Sequence, residues 1–259
     1  MNETFDDAAA RDAWDAGADA WLQFVRSGAD YYRTHVHGPA LLNACAVALG
    51  EEVLDLGCGE GFFTRALAKR GGRVLGIELS TKMLEYARAE EARQPLGIRY
   101  QLGSAARLEE QFASGTFDLV SSCMAIQDMS NPAGCIAGSA RLLRPNGRMV
   151  FSVPHPCTDT PFREWERDAA GRKVALEVDR YFETGPGECH WNMPRLAYQW
   201  TTPCWRRTLE EWCSMIAAAG FLIERLYEPR PDEKQVSMRP ELDDCARLPY
   251  FLIFRLVKP

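Results

Sequence analysis

Asp55, Gly57, Gly59 and Gly61 fall at alternating positions in Val-Leu-Asp-Leu-Gly-Cys-Gly-Glu-Gly, residues 53–61. Glycine lets a backbone turn tightly and approach a ligand closely, so the stretch reads as a loop that cradles a small molecule. A dinucleotide loop needs glycine at its first, third and sixth positions; counted from Gly57, the sixth is Phe62. No Gly-Lys-Ser/Thr follows, which removes the triphosphate-binding loop as well. Asp55 would repel a pyrophosphate and suits a ligand carrying positive charge nearby. Glu78, roughly 20 residues past the loop, stands where a carboxylate can accept hydrogen bonds from both hydroxyls of a ribose.

The elements that must hold these groups follow from pattern. Val53 to Leu56 is a short apolar run broken by one carboxylate, as in a strand of a parallel sheet covered on both faces. Phe62 to Arg70 has helical spacing, so strand, glycine turn and helix make the first half of a βαβ unit. Further strands are predicted at 73–78, 98–102, 115–122, 149–153, 221–227 and 250–257, with helices at 82–91, 132–143 and 208–220. Ser80 or Thr81 would cap one helix, and Thr208 with Glu211 forms a capping box on another. Arg144-Pro-Asn-Gly-Arg reads as a turn shaped by Pro145 and Gly147. Before the first strand, Trp14, Ala18, Trp21, Leu22 and Val25 define an amphipathic helix that Gly28 ends, and Gly38-Pro39 opens a second helix to Leu49.

The nine-residue glycine motif, the acid ending the next strand and the Arg-Pro-Asn-Gly turn together resemble class I S-adenosylmethionine-dependent methyltransferases. The likeness is strong over residues 50–154 and looser over 206–258. It implies an α/β fold: a Rossmann-like, doubly wound, seven-stranded, mostly parallel sheet with an antiparallel last strand. Residues 1–50 would be an N-terminal helical cover, 51–154 the cofactor-binding core, 155–205 a β-rich, aromatic flap inserted after strand five, and 206–259 the completion of the sheet. It also implies S-adenosylmethionine as cofactor, with S-adenosylhomocysteine as product. The residues expected to hold the cofactor are Arg33 (for its carboxylate), Asp55, Gly57, Cys58, Gly59, Glu78, Leu79, Met83, Ser104, Ala105 and Cys123. Ser104 departs from the family pattern, standing where an acid usually meets the adenine amino group.

The cofactor already activates its methyl group, so the protein must mainly align donor and acceptor, and a hydroxyl acceptor also needs a base. Of the four histidines, His155 sits best, at the end of strand five, as a base or as a structural loop histidine. Asp128, beyond strand four, is the second catalytic candidate, to orient an amine or act as base. Trp14, Trp21, Gln127, His190, Tyr198 and Trp200 are expected to meet the acceptor, although the flap aromatics and the cover tryptophans also suit internal packing. In the flap, 174–182 and 196–205 have strand character, with Gly185-Pro-Gly187 between them. Residues 229–240 read as an exposed loop.

The 259 residues carry a formal net charge of −6. That disfavours nucleic acid and anionic membrane as partners. No stretch has the length of a membrane span and no signal pattern opens the chain, so the protein is expected in the cytoplasm, as monomer or homodimer. Nine scattered cysteines without Cys-x-x-Cys argue for reduced thiols, and the irregular spacing of Cys157, Cys189, Cys204, His155 and His190 argues against a metal. The function expected is methyl transfer to O or N of a small metabolite. A macromolecular acceptor, or a non-catalytic cofactor-binding protein, is the alternative.

Overall fold

The computed structural model describes residues 6–193 and 198–259. Its centre is a seven-stranded sheet in the order β10-β11-β5-β4-β1-β2-β3. The strands are β1 (Glu52–Leu56), β2 (Arg73–Glu78), β3 (Arg99–Leu102), β4 (Phe117–Cys123), β5 (Leu143–Pro154), β10 (Leu222–Tyr227) and β11 (Phe251–Val257). Strands β1 to β5 pair in parallel, whereas β11 is antiparallel to both β5 and β10. This is the doubly wound, Rossmann-like sheet with an antiparallel last strand.

Alternation along each strand sorts the core into two layers. Leu54, Leu56, Phe151, Val153 and Phe254 face the layer that contains Ile136 of α5 (Pro132–Leu142) and Trp212 and Ile216 of α6 (Leu209–Ala218). Val53, Val150 and Ile253 face Leu41 of α2 (Gly38–Cys45) and Phe63 and Leu67 of α3 (Phe62–Lys69). Burial on both sides explains why β1 reads as a continuous apolar run interrupted only at Asp55. The predicted capping box at Thr208 and Glu211 is formed, and Ser80 caps α4 (Thr81–Arg93) by accepting from the Met83 N–H.

Four local expectations are corrected. The chain winds through a wide π-type turn, Arg33–His37, directly into α2, so Gly38 lies within a continuous helical path and not at a fresh start. At the strand-five turn, the β4 register passes from Leu143 straight to Arg148; residues 144–147 bulge out, with Asn146, not Gly147, in the left-handed region. The segment 229–240 holds a short helix, α7 (Glu233–Met238), with its own capping box at Asp232 and Gln235; α8 (Asp243–Arg247) follows. The flap is two hairpins: β6 (Phe162–Arg167) with β7 (Lys173–Asp179), and β8 (Gly185–Met193) with β9 (Tyr198–Arg206). Gly185-Pro-Gly187 opens β8 and makes no turn, because each half of the insertion pairs within itself. The predicted strand start at Leu196 lies outside the described residues.

The first helix, α1 (Asp7–Arg26), lies across the carboxyl end of the sheet and is held by polar contacts on several sides. Asp15 accepts from Ser80 Oγ (2.5 Å), Asp19 pairs with Tyr86, and Asp7 takes Ser130 Oγ (2.5 Å) and Arg107 (3.3 Å). On the flap side, Tyr198 Oη donates to the Ala16 carbonyl (2.5 Å), and Gly17 packs against the indole of Trp200 so closely that a Cβ there would overlap it.

Candidate active site

Beyond the carboxyl ends of β1, β2, β4 and β5, under α1, lies a cavity of about 430 Å³. Open α/β sheets place their ligands there. Asp55 faces it from the end of β1, 1% exposed, accepting from Thr64 Oγ1 and Ser121 Oγ at 2.7 Å each. Burial pushes its carboxyl up to about 6, against the pull of those two hydroxyls. Gly57 (φ 63°) passes so near the segment just after β4 that a Cβ would sit 2.6 Å from Ala125 Cβ. At Gly59 (φ 55°) a Cβ would meet no protein atom within 4 Å, so the loop presents bare backbone to the cavity there.

Glu78 ties this loop to the second strand. Its Oε2 accepts from the Gly59 N–H (2.9 Å) and its Oε1 from Leu79 and Ser80 N–H (both 2.8 Å). Burial raises its carboxyl, and those three N–H groups hold it down. Cys58, Leu79, Met83, Ser104, Ala105 and Cys123 all reach the same wall, so every expected cofactor residue is brought together. Ser104 Oγ accepts from the Ala106 N–H (3.1 Å), capping the turn that follows β3.

At the end of β4, Met124 takes a left-handed conformation, its N–H on Ser152 Oγ (3.0 Å). Gln127 Nε2 donates to the Met124 carbonyl (2.8 Å), while its Oε1 is buried without a partner. Asp128 lies beside it on the cavity wall, its carboxyl pushed well up by burial and by Asp159.

The cover supplies Trp14, Trp21 and Arg33. Trp21 Nε1 donates to Glu60 Oε2 (3.1 Å), and Arg33 pairs with Glu60 (2.7 Å) and Asp30 (2.8 Å) above the Phe62 ring (4.3 Å). The Arg33 charge, expected to grip the cofactor carboxylate, is therefore already balanced within the chain. It acts as a rivet between cover and glycine loop.

The flap and histidine expectations are corrected. His155 is 5% exposed and does not line the cavity: Nε2 faces Glu228 Oε1 (3.1 Å) and Nδ1 accepts from the Cys157 N–H (3.2 Å). Burial lowers its basicity, with Glu228 pulling the other way. His190 is exposed, beside Thr201 and Glu188 on the outside of the hairpin. Trp200 stacks on Trp191 (5.4 Å) and Tyr198 clasps α1, so both brace the cover and neither lines the cavity. Trp191, Trp205, Asp159 and His37 line it instead. His37 is 4% exposed with Nδ1 unpartnered; burial and Arg33 lower it to about 3, so the imidazole is neutral. Nothing in the periodicity marked His37, because the π-type turn that aims it is not legible as a pattern.

The donor set suits S-adenosylmethionine. Seven carboxylates (Asp7, Asp30, Asp55, Glu60, Glu78, Asp128, Asp159) face two guanidiniums (Arg33, Arg206) around the cavity, and the cofactor brings a sulfonium and an ammonium. The bare backbone at Gly59 leaves room for its close approach.

Comparison with known proteins agrees. The family described as "Methyltransferase domain" matches residues 54–151. The ubiquinone biosynthesis O-methyltransferase of Nitrosococcus oceani is 37% identical over 104 residues, 40% of this chain; the match spans 44% of that relative, less than half its length. An uncharacterized protein of Haemophilus influenzae is 27% identical over 86% of this chain and 87% of its own. The crystal structure of an S-adenosylmethionine-dependent methyltransferase from Mesorhizobium loti superimposes with a TM-score of 0.71 at 32% identity, covering 85% of this chain and 96% of that one. With that full-length likeness, the glycine loop and the acidic cavity, the chain belongs to the S-adenosylmethionine-dependent methyltransferases.

Proposed function

We propose that this chain transfers a methyl group from S-adenosylmethionine to a nitrogen or oxygen of a small molecule. The observation that carries the reading is the roofed cavity: α1 and the β8–β9 hairpin cover its top, and Trp14, Trp21, Trp191 and Trp205 wall it. An enclosed, aromatic-lined space suits a compact acceptor better than a polymer, which needs an open groove.

When bound, the cofactor supplies a methyl carbon already activated by a sulfonium. The chain's own residues bind and orient. Glu78 keeps a lone pair on Oε2 for a ribose hydroxyl, Leu79 and Met83 flank the adenine, and Ser104 offers its hydroxyl to the adenine edge. Asp55 and the 57–61 backbone hold the methionine portion, beside the Cys123 backbone. Asp128 and Gln127, just past β4, position the acceptor, and Asp128 is the group that takes a proton. His155 drops out of this role because neither ring nitrogen is open to the cavity; His37 replaces it as a neutral hydrogen-bonding wall. The roof narrows the access of water to the site.

Methyl-labelled S-adenosylmethionine incubated with the protein and a cell extract tests the reading. Once unreacted S-adenosylmethionine is separated by chromatography, a newly labelled small molecule is expected in the ultrafiltrate, dependent on protein. Transferred label found in retained macromolecules alone would refute the small-molecule acceptor.

A further inference from the structure

Strand β10 ends the central sheet, hydrogen-bonded on one side only, to β11. Its sequence, Leu-Ile-Glu-Arg-Leu-Tyr, is mostly apolar, yet Leu222, Ile223 and Leu226 are 60%, 39% and 41% exposed. An edge strand with free backbone groups and apolar side chains is a template for another strand. The side chains say which strand it accepts. Arg225 and Tyr227 lie opposite Arg255 and Ile253, on the sheet face that packs on Leu41. A bulge at Glu224 breaks the alternation: the register slips between Ile223 and Arg225, and Glu224 reaches Arg255 on that same face (2.7 Å). Arg225 lies beside it, over the Tyr227 ring (4.8 Å). Leu222, opposite Val257, shares this face, while Ile223 and Leu226, opposite Leu256 and Phe254, take the other. From 222 to 227 the order of faces is therefore the same read from either end. The chemistry reversed is also the same, except that acid and base change places.

We propose that two copies of this chain pair through β10, antiparallel, about a two-fold axis perpendicular to the sheet between Glu224 and Arg225. Such an axis keeps each face of the sheet on its own side and makes the contact self-complementary. Glu224 then stands opposite the partner's Arg225, Ile223 opposite the partner's Leu226, and Leu222 opposite the partner's Tyr227. Every pair joins like faces, and the bulge of one strand meets the bulge of the other, so the register passes through it. Opposite charges directly across an antiparallel pair stabilise it and like charges destabilise it. A slip of one residue would set Glu224 on Glu224 or Arg225 on Arg225, so the charges fix the register. The opposite edge, β3, reads Arg-Tyr-Gln-Leu and has no such order. Because β11 is antiparallel to both β5 and β10, β10 runs parallel to β5. The partner's β10 runs the other way, which puts the two roofed cavities at opposite margins of the joined sheet and obstructs neither. A single strand edge is small beside the roughly 800 Å² that each partner gives to a standard interface, so association is expected in the micromolar range.

Sedimentation velocity of the full chain over a series from about 1 to about 200 μM tests the pairing, since a small interface dissociates within that range. The mass is expected to rise from one chain to two across the series. Glu224→Lys sets Lys against Arg across the axis, and Arg225→Glu sets Glu against Glu, so each variant alone is expected to stay monomeric. Mixed in equal amounts the two variants should associate, because every charged contact between them then joins opposite signs. Thermal unfolding checks that each variant is folded. Amide hydrogen exchange on the unmodified chain is a second readout: backbone N–H groups within 222–227 should be better protected at the top of the series than at its foot. An unmodified chain that stays monomeric throughout, a dimer that both variants keep, or folded variants that do not associate when mixed would each overturn the proposal. Where a variant fails to fold, unchanged exchange of 222–227 in the unmodified dimer overturns it instead.

Discussion

Binding of S-adenosylmethionine at mildly acidic pH is expected to expel a proton, and Asp55 is the group that supplies it. Its carboxyl is lifted from an ordinary 3.8 to about 6 because burial strips water from the charged form, and the hydroxyls of Thr64 and Ser121 recover only part of the loss. For a carboxylate raised on folding, the linked stability is present below the unfolded value and lost as pH climbs through the folded one. Unliganded protein should therefore lose up to about 3 kcal/mol from this group between roughly pH 4 and pH 6. A cation in the cavity reverses the balance by favouring the carboxylate. At pH 5.5 roughly three quarters of Asp55 is protonated before binding, so close to that fraction of a proton should leave per cofactor bound. Calorimetry in two buffers of different ionisation enthalpy measures it directly. Asp55→Asn keeps an acceptor and a donor for the two hydroxyls and removes the titration. Release should be clear at pH 5.5, small at pH 7, and reduced at pH 5.5 in the variant. Equal release in wild type and Asp55→Asn, or proton uptake, would refute the electrostatic reading of the site.

Two further outcomes test the cover and the histidine. Gly17→Ala in a helix would ordinarily add about 1 kcal/mol of stability, but its Cβ would meet Trp200, which is pinned by Trp191, so overpacking of about 1–3 kcal/mol should win. Thermal unfolding should fall by a few degrees and cofactor affinity with it; a raised Tm would show that α1 and the flap are not clasped. His155→Ala should change turnover less than about threefold, the loss of its Glu228 and Cys157 contacts showing instead as lowered stability. A fall of about 10²-fold or more in a folded variant, the scale of a lost general base, would return the imidazole to the chemistry.

What could be read from the sequence was what chain-local physics dictates. The glycine loop, the acid at Glu78 and the Thr208–Glu211 cap are short-range patterns whose geometry is set within a few residues. The seven-stranded, mostly parallel sheet with its antiparallel last strand followed from the family resemblance. The catalytic side was harder, because a side chain's direction depends on distant partners. His155 ends a strand at the right edge, yet Glu228, far along the chain, draws its ring away from the cavity. Arg33 is near the cofactor loop as expected, but Glu60, inside that very loop, claims its charge. In the flap, alternation marked strands without revealing which strand pairs with which. Gly185-Pro-Gly187 therefore looked like a hairpin tip when it is the first turn-free stretch of β8. His37 and Asp159 carried no sequence signal; tertiary packing alone put them on the wall.

The riveted cover has a consequence for how the chain is made. Part of its anchorage comes late in the sequence: Ala16 waits for Tyr198, Tyr32 for Asp244 (2.9 Å), and the Ala44 carbonyl for Arg255 (2.5 Å). On the ribosome, α1 can meet Ser80, Tyr86, Arg107 and Ser130 well before β9, which follows α1 by roughly 10–40 s at ordinary elongation rates. Through that interval Trp14, Trp21 and Phe24 lack the Trp191 and Trp200 rings they finally pack with. The core sheet also closes late, since β11, which follows every other strand of the sheet, lies between β5 and β10. Until β8 and β9 are made, the nascent chain thus carries the aromatic face of α1 without the rings that finally cover it.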